Sequence, residues 1–461
     1  MLPVVILFRK CNYKARSVSS AKPHPGGAKG ASAGRARFFR GNMSESEPST
    51  GNYRWVVVAL FWVAYFLNQA DRQVLFSVFP LIQAEFALDN AKLGLMGSVF
   101  FWVYALMVPI AGGLGDALSR KKIIAFALLV WSASTLGSAL VGGFAALLAM
   151  RAITGFGEAF YYPSATSIIT DYHDQRTRAT AMSVHQTSVY LGIVASGAIA
   201  GWIGQRFGWR PAFLTFGSAG VLFSFGLFAW LREPQRGQAD FAAAAQAADL
   251  PLRARIVESF RRPSAIALAL AFLGMNFVNA AFQTWTPTWL YRTFGMTLAE
   301  AGFHATFHHY AGAFLGVLLG GRLADRYAER SRLSRPLIQA FGLLCGAPVI
   351  WALYRSDSRG AVFVALGLFG FFRGLYDSNL FASLYEVVRP EARATATGLM
   401  LCVAFFGGGF SSVIVGWLSG QAGLGRALAL TSLAYVLAGM AILLACRLCF
   451  LRDAERMRNS M

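Results

Sequence analysis

Twelve apolar runs, each long enough to cross a hydrocarbon core of about 30 Å, limit what this chain can fold into more than any other feature. Six lie near residues 54–82, 91–113, 122–141, 145–169, 181–205 and 211–231. Six more lie near 264–291, 300–322, 337–354, 360–388, 395–421 and 425–450. A polar stretch rich in Ala and Arg, from Arg232 to Arg262, separates the two sets. In hydrocarbon the backbone amides have no water partner, so runs of this length must be helices. With 14% charged residues and 56% hydrophobic ones, the 461-residue chain has too few charges to coat a soluble globule. The expected fold is an all-α polytopic membrane protein with twelve transmembrane helices. Its expected layout is a basic segment (1–52), a first six-helix bundle (53–231), a linker (232–263), a second bundle (264–450) and a tail (451–461).

The formal charge of +20 resembles that of a nucleic-acid binder, but its placement excludes that class. Arg120, Lys121 and Lys122 fall between spans 2 and 3, and Arg176 and Arg178 between 4 and 5. Arg322, Arg326, Arg330, Arg332 and Arg335 fall between 8 and 9, and Arg389 and Arg393 between 10 and 11. Arg447, Arg452, Arg456 and Arg458 follow span 12. Basic residues concentrated in alternate loops mark the cytoplasmic side, so both termini are expected there, in a bacterial inner membrane. Residues 1–42 carry nine basic and no acidic residues among Gly, Ser and Ala, and are expected to be disordered in isolation. An organellar presequence and a true start at Met43 both remain open, and the ordinary run Met43-Ser-Glu-Ser-Glu-Pro-Ser favours the second. Five cysteines form no disulfide framework, and Cys446 and Cys449 lack the further ligands a zinc site needs.

An internal repeat fixes the expected architecture. Gly112-Gly-Leu114-Gly-Asp116 closes span 2, and Gly321-Arg-Leu323-Ala-Asp325 closes span 8 with the same spacing. Arg178-Ala-Thr-Ala before span 5 is echoed by Arg393-Ala-Thr-Ala before span 11. Repeats of this kind build two pseudo-symmetric six-helix halves facing each other across a central cavity. The run from Gly112 through Asp116 to Arg120, Lys121 and Lys122 resembles the loop 2–3 signature of the major facilitator superfamily. Ala117 and Ser119 stand where that family often has Arg and Gly. The resemblance covers residues 50–452 and implies a transporter working by alternating access.

Ionisable groups inside spans are expensive to bury and usually face a cavity. In span 1, Asn68, Asp71 and Arg72 share one helical face. In span 4, Arg151 and Glu158 lie two turns apart on one face, and Gly155, Gly157 and Ala159 leave room for a neighbouring helix. Glu158 is the first candidate to bind and release a proton. Together with Pro163, these residues resemble the anion:cation symporter branch of the superfamily, which includes hexuronate and galactonate carriers, sialin and the vesicular glutamate transporters. That resemblance implies proton handling by Asp71 and Glu158 and carboxylate binding by Arg72 and Arg151. An arginine fork suits a carboxylate on physical grounds as well.

Gly155-Phe-Gly-Glu158-Ala and Leu231-Arg-Glu-Pro-Gln-Arg-Gly237 also resemble spinster-type lysolipid and sphingolipid transporters, while Phe371-Phe-Arg373-Gly-Leu-Tyr-Asp377 looks more like carriers of sugar acids. Asn276, Asn279 and Gln283 line up along span 7 with Trp285 beyond, a set suited either to a hydroxylated substrate or to bonds between helices. His185 and Gln186 in span 5 are candidate cavity neighbours of span 1. Arg373 and Asp377, four residues apart, read as a structural ion pair, and His304, His308 and His309 open span 8 without a nearby carboxylate to complete a metal site. Gly112, Asp116, Arg120 and Asp325 are the candidate gate residues. No Gly-x-x-x-x-Gly-Lys-Ser/Thr run is present and no hydrolase set stands out, so neither ATP nor enzyme chemistry is implied. The expected function is proton-coupled symport of a small organic anion by a monomer in contact with lipid and protons, with no cofactor, no metal and no nucleic acid. A lysolipid cargo and a receptor without flux are the alternatives.

Overall fold

Among the described residues, every regular element is a helix, as amides surrounded by hydrocarbon require. The computed structural model describes residues 50–174, 176–235, 251–328 and 331–458. The expectations for residues 1–42 and for the middle of the linker lie outside them. Span 1 runs through Thr50–Ser77 and Phe79–Phe86, span 2 through Asn90–Ala117 and span 3 through Arg120–Ser138. Span 4 is Phe144–Ala159 with Tyr161–Tyr172, span 5 Arg178–Phe207 and span 6 Trp209–Trp230. A short linker helix, Leu252–Phe260, precedes span 7 (Pro263–Phe294), span 8 (Leu298–Ala328) and span 9 (Ser334–Leu353). Span 10 is Arg359–Asp377 with Leu380–Tyr385, span 11 Arg393–Ala422 and span 12 Leu424–Leu430 with Ser432–Leu448. A last helix, Phe450–Arg458, follows.

Eight of these twelve spans are long and apolar enough to cross a membrane on length and composition alone. Spans 1, 3, 4 and 8 fall short for a physical reason. Span 1 carries Asp71 and Arg72, span 3 opens on Arg120-Lys121-Lys122, span 4 is broken at Phe160, and span 8 carries three histidines. Large side chains coat the outside of the bundle, with Leu222, Leu437 and Phe126 each more than 60% exposed. Such a coat would aggregate in water and is solvated by lipid tails.

Packing repeats between the halves. Span 1 lies on 5, 2 on 4, and 3 on both 4 and 6; in the second half 7 lies on 11, 8 on 10, and 9 on both 10 and 12. The halves meet chiefly through spans 2 and 11 and through spans 5 and 8, pairs that exchange under the same symmetry. Small residues allow this approach, because lipid tails give no hydrophobic drive for helices to associate. Gly197 and Gly302 face each other, and a Cβ on either would run into the other's carbonyl.

Hydrogen bonds between the halves cluster at the end away from the Arg-rich loops. Ser98 Oγ donates to the Gly409 carbonyl (2.6 Å), Asn90 to Ser419 Oγ (2.8 Å), and the Leu298 amide to Gln205 Oε1 (3.1 Å). Toward the basic loops, a Cβ at Gly112, Gly113, Gly321 or Gly398 would meet nothing within 4 Å. With the described bonds between the halves gathered at the other end, the basic end is the less closed of the two. Gly302→Val is expected to cost about 1–3 kcal/mol by overpacking, read as a lower Tm in detergent. An unchanged Tm would show that the span 5–span 8 contact is loose.

Candidate functional site

Span 4 breaks where Pro163 lacks an N–H and crowds the Ala159 carbonyl one turn back. The break falls at Phe160, whose amide turns to the Gly157 carbonyl instead (3.3 Å). Glu158 sits just before this kink. A Cβ at Gly155 would stand 2.6 Å from the Phe100 carbonyl oxygen, and one at Gly157 2.9 Å from the Trp131 amide. The two glycines thus let spans 2 and 3 close around the Glu158 side chain.

Glu158, with its side chain at 0% exposure, accepts from Arg72 Nε of span 1 at 2.5 Å. The guanidinium lies 4.7 Å from the Phe100 ring centroid and 4.9 Å from that of Tyr104, both on span 2. Aromatic faces stabilise a cation that has lost its water. Asp71 is fully buried, and Ser132 Oγ of span 3 lies 3.5 Å from its Oδ2. Arg151 is 1% exposed, 5.8 Å from the Phe213 ring, within electrostatic reach of Asp71 and Glu158. Among the described residues, its Nε and one terminal nitrogen have no hydrogen-bond partner, nor do Asp71 Oδ1 and Glu158 Oε1. Two acids and two bases thus form one group inside the first half, balanced in charge but short of hydrogen bonds. Arg72, 13% exposed, is its outermost member. Asn68 is buried on the same face and accepts from Gln69 (3.0 Å). His185 is buried, stacked on Tyr65 (4.8 Å) and bonded to Tyr161 (3.0 Å), whereas Gln186 is exposed.

The second half presents its own polar group. Arg373 pairs with Asp377 (3.2 Å), donates to Asn279 Oδ1 (2.6 Å) and lies 3.0 Å from His309 Nε2. Gln283 donates to Tyr310 (3.2 Å), which faces Tyr190 of the first half at 5.4 Å. Asn276 and Trp285 instead donate to carbonyls of span 11, at Ala404 and Ser412 (both 2.9 Å). His304 and His308 bond each other (3.1 Å) against Phe363.

At the basic end, buried Arg120 ties three elements together. It reaches Asp171 at the end of span 4 (2.5 Å), Ser167 (2.8 Å), and Glu233 and the Pro234 carbonyl after span 6 (both 3.2 Å). Burial pushes the Glu233 carboxyl up, but hydrogen bonds from Ser119, Lys121 and Arg120 outweigh it and hold it below the ordinary value. The stability it contributes is therefore full near neutral pH and is lost as pH falls through that lowered value. The second half repeats the device: Arg335 reaches Glu386 at the end of span 10 (2.6 Å), again 51 residues on. Arg178 and Arg393 each donate to a carbonyl eight residues back, at Thr170 (3.3 Å) and Tyr385 (2.9 Å), which explains the repeated Arg-Ala-Thr-Ala. Asp325 is 80% exposed and lies 3.6 Å from Arg335. Gly112 adjoins open space, and the Asp116 side chain lies outside what the structure describes.

Sequence reading did not find Phe100, Tyr104, Asp171, Glu233, Glu386 or the His309 contact to Arg373. Glu233 lay inside a quoted motif, and Phe100 and Tyr104 share a helical face. Neither signal names a partner.

Residues 61–400 match the sequence model of the Major Facilitator Superfamily, as do residues 290–460. A probable galactarate/D-glucarate transporter of Bacillus subtilis is 27% identical over 55% of this chain; the chain spans 61% of that relative's length. A D-galactonate transporter of Escherichia coli is 26% identical over 86% of this chain and 96% of its own. The crystal structure of a bacterial homolog to the human lysosomal transporter Spinster, inward-facing and unoccupied, superposes with a TM-score of 0.77 at 25% identity, covering 88% of this chain and 99% of that one.

Breaking a buried pair strands its partner, so Arg120→Ala is expected to cost about 3–5 kcal/mol. Arg335→Ala, whose pair is about a quarter exposed, is expected to cost about 1 kcal/mol or less. Equal losses of Tm in the two variants would contradict this ranking.

Proposed function

This chain belongs to the Major Facilitator Superfamily, whose members here are transporters and not enzymes, and we infer that it carries a small organic anion, a sugar acid or similar carboxylate, by proton-coupled symport. The observation that supports this most is the Arg72–Glu158 pair (2.5 Å), in which the acid is sealed and the base is the more exposed partner. A guanidinium can face Glu158 or a cargo carboxylate. Neutralising Glu158 with a proton removes its claim on Arg72, which then binds the cargo bidentately. Asp71 acts as the second proton-handling group, and Arg151 balances whichever acid is still ionised when Arg72 turns away from the protonated Glu158. Asn68 from the first half, with Asn279 and Gln283 from the second, offers amides to the cargo's hydroxyls. Ligand held by both halves biases the two-state equilibrium toward turning, because contacts to each half differ between the states.

The basic loops support an orientation in which the less closed end and both described termini face the cytoplasm. Arg120 and Arg335 act as matched braces at that mouth, with Gly112, Asp116 and Asp325 on the moving segments beside them.

Lipid cargo is the second reading. It draws on the likeness to the Spinster homolog and on an apolar groove of about 220 Å3 lined by Leu114, Leu118, Ile123, Phe126, Phe156 and Phe160. Uptake by purified protein in proteoliposomes, across a panel of sugar acids and with the outside acidified, separates the two. One acid should accumulate, and Glu158→Gln should lower gradient-driven uptake roughly 5- to 150-fold, the range of a coupling free energy of about 1–3 kcal/mol. No uptake of any acid by folded protein, with flux of a lysolipid, would install the second reading.

A further inference from the structure

At the end opposite the basic loops, Arg292 of span 7 reaches across to the other half. One terminal nitrogen donates to Asn90 Oδ1 (3.2 Å) and the other to Gln83 Oε1. Gln83 in turn donates to Asn90 Oδ1 (3.1 Å) and to the Leu88 carbonyl (2.8 Å), and Asn90 donates to Ser419 Oγ of span 11 (2.8 Å). This chain of side chains joins spans 1 and 2 to spans 7 and 11. It is a latch between the halves, and its cation is held by neutral amides.

The charge stays available. Arg292 forms no ion pair among the described residues. It lines a cavity of about 590 Å3 with Gln83, Asp89, Asn90, Trp417 and Gly420. The acidic member, Asp89, is turned to the Lys92 amide (2.7 Å) as the N-cap of span 2. Trp417, 57% exposed, offers an indole face at the same mouth. Arginine binds carboxylate through two parallel charge-assisted bonds, roughly twice as strong as neutral ones. A carboxylate entering this cavity therefore competes with Gln83 and Asn90 for the same nitrogens.

We propose that the Arg292 cavity is an outer docking site for carboxylate anions, separate from the Arg72 site, and that its occupation releases the latch holding that end closed. The carboxylate ligand is taken from the function proposed above; the latch rests on geometry alone.

The test places spin labels on Lys92→Cys and Gln421→Cys, both exposed, in the full chain with its native cysteines changed to serine, reconstituted in nanodiscs. Distances between them are measured without anion, with galactonate, and with chloride at equal ionic strength. Arg292→Gln is expected to lengthen the distance without any anion. Galactonate is expected to lengthen it in the parent protein and to do nothing further in Arg292→Gln, and chloride is expected to have no effect. Arg292→Lys keeps the charge but loses the fork, so it should stay closed and respond weakly, which guards against a folding defect. Unchanged distances in Arg292→Gln would overturn the latch, and an opened Arg292→Gln with no galactonate effect on the parent would overturn the docking site. If galactonate opens the mouth but no acid is transported, the proposed cargo fails while the docking site stands.

Discussion

A charge moved from water into a protein interior loses several kcal/mol of hydration even after relaxation, and four such charges lie within the first six-helix half. Their arrangement is the constraint on which the site depends. Asp71, Arg72, Arg151 and Glu158 sum to zero, so the cluster can exist in a lipid-embedded bundle. They do not satisfy one another fully: among the described residues, two nitrogens of Arg151 and one oxygen of each acid lack partners. A closed, saturated network would be inert. In the proposed mechanism an under-bonded one changes partners when a proton or an anion arrives, because each arrival alters which pairing is cheapest.

In the proposed mechanism, the rest of the fold turns that local choice into movement. The closest backbone approaches between the halves fall at glycines, and the described bonds between halves gather at one end. Each half is braced at the opposite end by an arginine reaching an acid 51 residues on. Such braces keep spans 3 and 4, and spans 9 and 10, moving as units. Rigid halves with a narrow shared seam are bistable, and rocking about the seam is the motion they permit.

Much of this was legible in the sequence. Apolar runs and breakers gave the span count, because hydrocarbon admits few solutions, and the paired Gly-x-Leu-x-Asp and Arg-Ala-Thr-Ala runs announced the duplication. Asp71, Arg72, Arg151 and Glu158 were visible as charges in spans. Their pairing was not, since helical periodicity says which face a residue occupies and nothing about which helix faces it. Arg120 looked like one of three loop cations, yet it is buried on acids 51 and 113 residues away. Arg151 read as a substrate contact from its position in span 4, and its 1% exposure and its reach to Asp71 and Glu158 were not legible. Amides were the least legible: Asn276 and Trp285 hold span 11, while Asn279, on the same helix, meets Arg373.

Coupling is the centre of the account, and it is tested most directly by following protons. Proteoliposomes loaded with a pH-sensitive dye, and held without a membrane potential, would receive an outward-to-inward gradient of a sugar acid that the protein is shown to carry. Acidification of the lumen in step with entry of the acid, absent in Glu158→Gln, is the predicted result. Entry of the acid with no change in lumenal pH would mean that the Arg72–Glu158 pair does not link proton to cargo.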